Sequence, residues 1–159
     1  MGRTSLFQAV VVVFCVSTVP GKEEEREKMV TDVIKVNGSL FRSYGCYCGT
    51  EGLGSGEPKD YIDMCCQILN CCYEVLKGSR CDAKATSYKY IYDGENVECW
   101  MANNFAWCKA NVCSCDRHFS LCLLDAHGLF NRDHLVSSSG PRACGERNPT
   151  ECNVEGSSS

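Results

Sequence analysis

A small, mainly α, disulfide-rich domain is the fold class that the sequence predicts, and three observations predict it. The first is cysteine arithmetic: the 159-residue chain has 15 cysteines, and setting aside Cys15, in an apolar leader, leaves 14, enough for seven bridges. That density belongs to disulfide scaffolds of oxidising compartments. Zinc is the competing use, but the adjacent pairs Cys65-Cys66 and Cys71-Cys72 do not fit knuckle spacing, and the three histidines all come late. The second is helical spacing. Cys65, Leu69 and Cys72 follow i, i+4, i+7, while Cys108, Cys115 and Cys122 recur every seven residues, so two antiparallel helices present matching stripes that disulfides can join. The third is "TSYKYIYDGENVEC" at 86–99, where Tyr88, Tyr90 and Tyr92 alternate ahead of Asp93-Gly94, a β-hairpin signature.

The elements follow in chain order. Residues 1–20 carry one Arg, an apolar run too short to span a bilayer and then small polar residues, the proportions of a secretory signal peptide. A buried N-terminal helix is the competing reading, disfavoured because consecutive valines make a poor helix core. "GKEEEREK" at 21–28 reads as a solvated mature N-terminus or propeptide. A short helix is expected over 28–36, with Val30, Val33 and Ile34 on one face and Asn37-Gly38 stopping it. Asn37 opens an "NGS" glycosylation sequon. Residues 44–58 are glycine-rich and read as a loop. A helix over 59–76 follows, with Asp60 and Asp63 early enough to favour its dipole. After the hairpin, a second long helix is expected over 101–127. The main domain is taken as 29–152, and 153–159 as a disordered tail.

Charge narrows the function. The net charge is −4, and no Lys/Arg cluster exceeds two residues, so neither nucleic acid nor docking onto anionic lipid is indicated. Trp100 and Trp107 suit an interfacial surface or ordinary packing equally well.

The ordered elements "YGCYCG", "PKDYIDMCC", "CCY" and "CSCD" resemble those of the secreted phospholipases A2, over roughly 28–152. The second cysteine of Cys71-Cys72 and Cys152 resemble the group II branch. That resemblance implies two bridged helices, a calcium-type glycine loop and a β-wing. It also implies the bridges Cys46–Cys144, Cys48–Cys66, Cys65–Cys122, Cys71–Cys152, Cys72–Cys115, Cys81–Cys108 and Cys99–Cys113.

In such enzymes a helical His acts as general base on a water, and the next residue, an Asp, binds Ca²⁺ with loop carbonyls. An Asp on the second long helix orients the His and is steadied by two Tyr. Here Leu69 stands in the His slot and Asn70 in the calcium Asp slot. Leu69 cannot take a proton, and general-base catalysis is typically worth about 10²–10⁴-fold. Asn70 keeps one neutral oxygen and loses the charge that calcium favours. The carbonyls of Tyr47, Gly49 and Glu51 would complete a degenerate site; Glu51 replaces a Gly, and Gly56-Glu57 resemble an insertion. His118, His127 and His134 offer no substitute base. The supports remain: Asp116 in the orienting slot, with Tyr73 and Tyr88 as its hydroxyl donors. A buried carboxylate satisfied by two phenols also needs no catalysis.

The expected function is therefore a secreted phospholipase A2-like protein without ester hydrolase activity, binding lipid, fatty acid or an extracellular protein, with membrane contact at most peripheral. Calcium is the only cofactor implied, at weakened affinity. Leu69 is expected to make the floor of any persisting apolar channel more apolar. One alternative is an otoconin-type biomineral protein, for which the acidic balance, the sequon, Glu23–Glu25, Glu51 and Glu57 are compatible. Another is an active calcium-dependent hydrolase using an unrecognised base.

Overall fold

The computed structural model describes residues 22–48, 56–102 and 106–135, together with Cys144 and Cys152. Helix α1 spans Lys22–Ile34, α2 spans Tyr61–Gly78 and α3 spans Trp107–Ala126, with strands β1 (Tyr90–Tyr92) and β2 (Val97–Cys99) between the last two. Short 3-10 turns follow α1 and α3. Residues 1–21, Gly49, Glu51 and most of the residues after 135 lie outside the described residues.

Helix α1 starts well before the expected 28–36. Glu23, Glu24 and Glu25 fill its first turn, where acidic side chains offset the exposed N–H dipoles. "GKEEEREK" is thus largely helical rather than a solvated extension. Met29, Val30, Val33 and Ile34 are buried along one face. The helix stops because Lys35 turns left-handed, at φ 59°. Asn37 caps the following 3-10 helix Gly38–Ser43 by accepting from the Ser39 N–H. That short helix was not anticipated, and Gly38 allows it: a Cβ there would lie 2.6 Å from the Glu27 carbonyl oxygen. Asn37 itself is exposed.

Helix α2 begins where Asp60 caps it, accepting from the Asp63 N–H at 2.9 Å. Its buried face runs through Ile62, Cys65, Leu69, Tyr73 and Leu76. Cys65–Cys122 and Cys72–Cys115 join this helix to α3, and Cys81–Cys108 ties the segment after α2 to the start of α3. A bridge closing a loop as long as that of Cys65–Cys122 is worth about 4 kcal/mol in the chain-entropy account. The other pairs are Cys46–Cys144, Cys48–Cys66, Cys71–Cys152 and Cys99–Cys113, the same seven that the resemblance implies.

The wing is antiparallel, pairing Tyr90 with Cys99, Ile91 with Glu98 and Tyr92 with Val97. Its turn is longer than a two-residue Asp-Gly connection. Asp93 accepts from the N–H groups of Glu95 and Asn96, and Gly94 takes φ +105°. Cys99–Cys113 and the Arg117 bond to the Val97 carbonyl tie the wing to α3, and the Tyr90 hydroxyl on Asp32 ties it to α1. Helix α3 starts at Trp107, later than expected. Its buried face carries Val112, Cys115, Asp116, Phe119 and Leu123 against α1 and α2.

Candidate functional site

Two polar arrangements flank Leu69. On α2, Leu69 is buried, 6% exposed, and Tyr73 follows one turn later on the same face. The Tyr73 hydroxyl donates to one carboxylate oxygen of Asp116, and the Tyr88 hydroxyl donates to the other at 2.6 Å. Asp116 is fully buried. Burial and the neighbouring Asp116 push both phenols above their ordinary pKa, so both remain donors at physiological pH. The three supports expected from sequence are therefore brought together, around a Leu that shares no proton with them.

The second arrangement is Asn70 against the loop stem. Its amide nitrogen donates to the Tyr47 carbonyl at 2.8 Å. That carbonyl is one of the oxygens expected to face calcium. As arranged, the described donors do not fit a calcium ion: the oxygen already accepts from an N–H donor, and the adjacent side chain is neutral. Among the described residues no group of three or more His, Cys, Asp or Glu is placed to hold a metal. Gly49 and Glu51 lie outside the described residues. The Tyr47 hydroxyl donates to the Gly56 carbonyl at 2.6 Å, closing the loop stem on itself.

Asp60 and Asp63 do more than complement the dipole. Asp63, fully buried, accepts from the backbone N–H groups of Cys46 (2.9 Å), Tyr47 (2.7 Å) and Lys59 (2.9 Å), so it clamps both ends of the loop. Gly45 lies over it at φ +56°, where a Cβ would come 2.2 Å from the carboxylate carbon. Asp60 accepts from the Tyr44 hydroxyl and holds His134 Nδ1 at 2.9 Å. The Tyr44 hydroxyl in turn accepts from the Asn131 N–H. These bonds fasten the turn after α3 to the loop.

A pH dependence follows from that fastening. Burial works against the Asp60 charge, but the bonds from Tyr44, the Asp63 N–H and His134 outweigh it and hold the carboxyl below its ordinary range. A folded pKa below the unfolded value of about 3.9 gives stability that is complete above that value. It is lost as pH falls through the folded pKa. Urea midpoints measured from pH 7 down to pH 3 should therefore drop more steeply below about pH 4 for the native chain than for Asp60→Asn. Parallel curves would refute this assignment.

A small cavity lies against Leu69, with a volume of about 30 Å³. Val30, Phe41, Leu69 and Phe119 give it apolar walls; Asn70 and Arg26 also line it. It has room for one or two waters, far below the roughly 300 Å³ at which small-molecule pockets begin. Arg26 is the residue that sequence reasoning missed. It stands three, four and seven residues before Met29, Val30 and Val33, so extending the apolar stripe back one turn points it inward.

Two disulfide-bridged helices packed with a third, a disulfide-fastened wing and a buried Asp held by two Tyr define a phospholipase A2 fold. The Phospholipase A2 family model matches residues 25–134, and the chain belongs to that family. It is 36% identical over 106 residues to a phospholipase A2 of Pithecopus azureus, covering 67% of this chain and 69% of that protein. It is 33% identical over 112 residues to a phospholipase A2 homolog of Echis pyramidum leakeyi, covering 70% and 87%. With the group IID secretory phospholipase A2 of Homo sapiens the identity is 34% over 120 residues, covering 75% and 80%.

Proposed function

We propose that this chain is a secreted phospholipase A2-type protein that contacts lipid without hydrolysing it. The observation that carries the reading is the pair at the centre of α2: Leu69 is buried where a general base would stand, and the Asn70 amide occupies the Tyr47 carbonyl. Neither side chain can accept a proton from water at neutral pH, and calcium would have to displace an internal hydrogen bond. Asp116, Tyr73 and Tyr88 then serve as a satisfied buried network that holds α2, α3 and the wing segment together. Weak calcium affinity belongs to the same reading, as does lipid contact at the surface, given how small the cavity beside Leu69 is. No helix among the described residues is long and apolar enough to cross a membrane, which agrees with peripheral contact.

Mixed phosphatidylcholine and phosphatidylglycerol vesicles with millimolar Ca²⁺ test this directly. The expected outcome is sedimentation of protein with vesicles and no EDTA-sensitive release of sn-2 fatty acid. Sustained calcium-dependent release would overturn the non-hydrolytic reading; protein left wholly in the supernatant would overturn lipid contact.

A further inference from the structure

Helix α1 carries a cation into the heart of the fold. The Arg26 side chain is only a fifth exposed. Its guanidinium donates to Glu23 at 3.4 Å and is electrostatically coupled to Tyr73 and to the Asp116 carboxylate. Burial works against its charge, yet Tyr73 and Asp116 outweigh the burial and raise its pKa. The same side chain lines the cavity that Leu69 and Phe119 wall.

A carboxylate with no solvent exposure is costly unless a positive charge or enough donors face it. Asp116 has two phenols, and the residue across from it, where an imidazole would supply a polarised N–H, is Leu69. A cation nearby adds to what the two phenols supply, and α1 brings one in on its otherwise apolar face. We propose that Arg26 has taken over the imidazole's place as the electrostatic partner of Asp116, and that its side chain plugs the path by which an acyl chain would enter. This deepens the non-hydrolytic reading and rests on it: the vestigial site is filled and shut, not simply stripped of its reagents. Leu69, Asn70 and Arg26 become three parts of one replacement, spread over two helices.

A double-mutant cycle with an acyl-chain probe tests the proposal. Arg26→Ala and Asp116→Asn are made singly and together, and folding is followed in urea. Each single change is expected to lower the folding constant at least tenfold, because it leaves Arg26 with Glu23 alone or Asp116 with its two phenols alone. The double variant should be at least tenfold more stable than the product of the two single losses predicts. A dansylated undecanoic acid should not bind the native chain saturably but should bind the double variant, whose plug is gone. Additive losses, including a double variant no more stable than the product, overturn the counter-ion role. Saturable probe binding by the native chain, or none by a folded double variant, overturns the plug. Ester hydrolysis by the native chain is assayed separately: activity there would sink the non-hydrolytic reading, while the cycle reports on Arg26 alone.

Discussion

Asp63→Ala is expected to cost more stability than any surface substitution and to release the loop stem first. Its carboxylate is the shared acceptor for three backbone N–H groups, at Cys46, Tyr47 and Lys59, and it has no solvent exposure. Truncation leaves those donors buried without their acceptor. A buried donor left without an acceptor costs about 1–3 kcal/mol, so the three together exceed about 4 kcal/mol. That is a large part of the 5–15 kcal/mol by which a domain is ordinarily stable. Asp63→Asn should recover only part of it, since its amide group would point donors at donors. Gly45→Ala approaches the same clamp from the other side. It combines a left-handed backbone, φ +56°, with a Cβ inside the carboxylate, so Asp63 must be pushed off its N–H partners. Cys46–Cys144 and Cys48–Cys66 still tether the stem, so the loss should begin locally. Hydrogen exchange at the Cys46 and Tyr47 amides should accelerate before global unfolding, and the urea midpoint should fall. Unchanged exchange at those two amides would contradict the clamp.

How legible this was in the sequence depends on how far apart the cooperating residues lie. Helices α2 and α3 were readable because cysteine spacing encodes both their period and their facing sides; Cys65 with Cys122 and Cys72 with Cys115 repeat one register on each helix. The wing was readable from alternating tyrosines, although its turn geometry depends on Asp93 gathering two N–H groups. The start of α1 was misread because a run of charges suggests solvent when judged by composition. Judged by face, Arg26 continues the line of Met29, Val30 and Val33. Asp60 and Asp63 were legible as early-helix charges but not as anchors. Their partners, Tyr44, Cys46, Tyr47 and His134, come from segments that only tertiary folding brings near. The Leu69-Asn70 substitution was visible by resemblance, whereas what fills the resulting space depends on where α1 is packed.

Asn70→Asp is expected to make the stability of the fold strongly dependent on calcium. In the native chain the Asn70 amide donates to the Tyr47 carbonyl at 2.8 Å and so holds the loop stem to α2 without an ion. An Asp of nearly the same shape replaces that donor with an oxygen, setting carboxylate against carbonyl. The lost bond and the new repulsion, in a half-buried position, should destabilise the variant by about 2 kcal/mol in EDTA. For a chain of this size that corresponds to a fall in Tm of roughly 4–8 °C. Added calcium would find a carboxylate beside a freed carbonyl, the oxygen chemistry it prefers. Binding to the folded state alone then restores stability, by about 2.7 kcal/mol when calcium reaches a hundred times its Kd. The native chain, with its oxygen already satisfied, should show the same Tm in EDTA and in millimolar calcium. A calcium-dependent shift in the native chain would mean that the amide yields to the ion. An Asn70→Asp variant as stable in EDTA as the native chain would mean that the amide does not hold the loop. Leu69 is unchanged in this experiment, so any calcium regained does not bring back a general base. Ion binding and hydrolysis, which one pair of adjacent residues would couple, become separable on this scaffold.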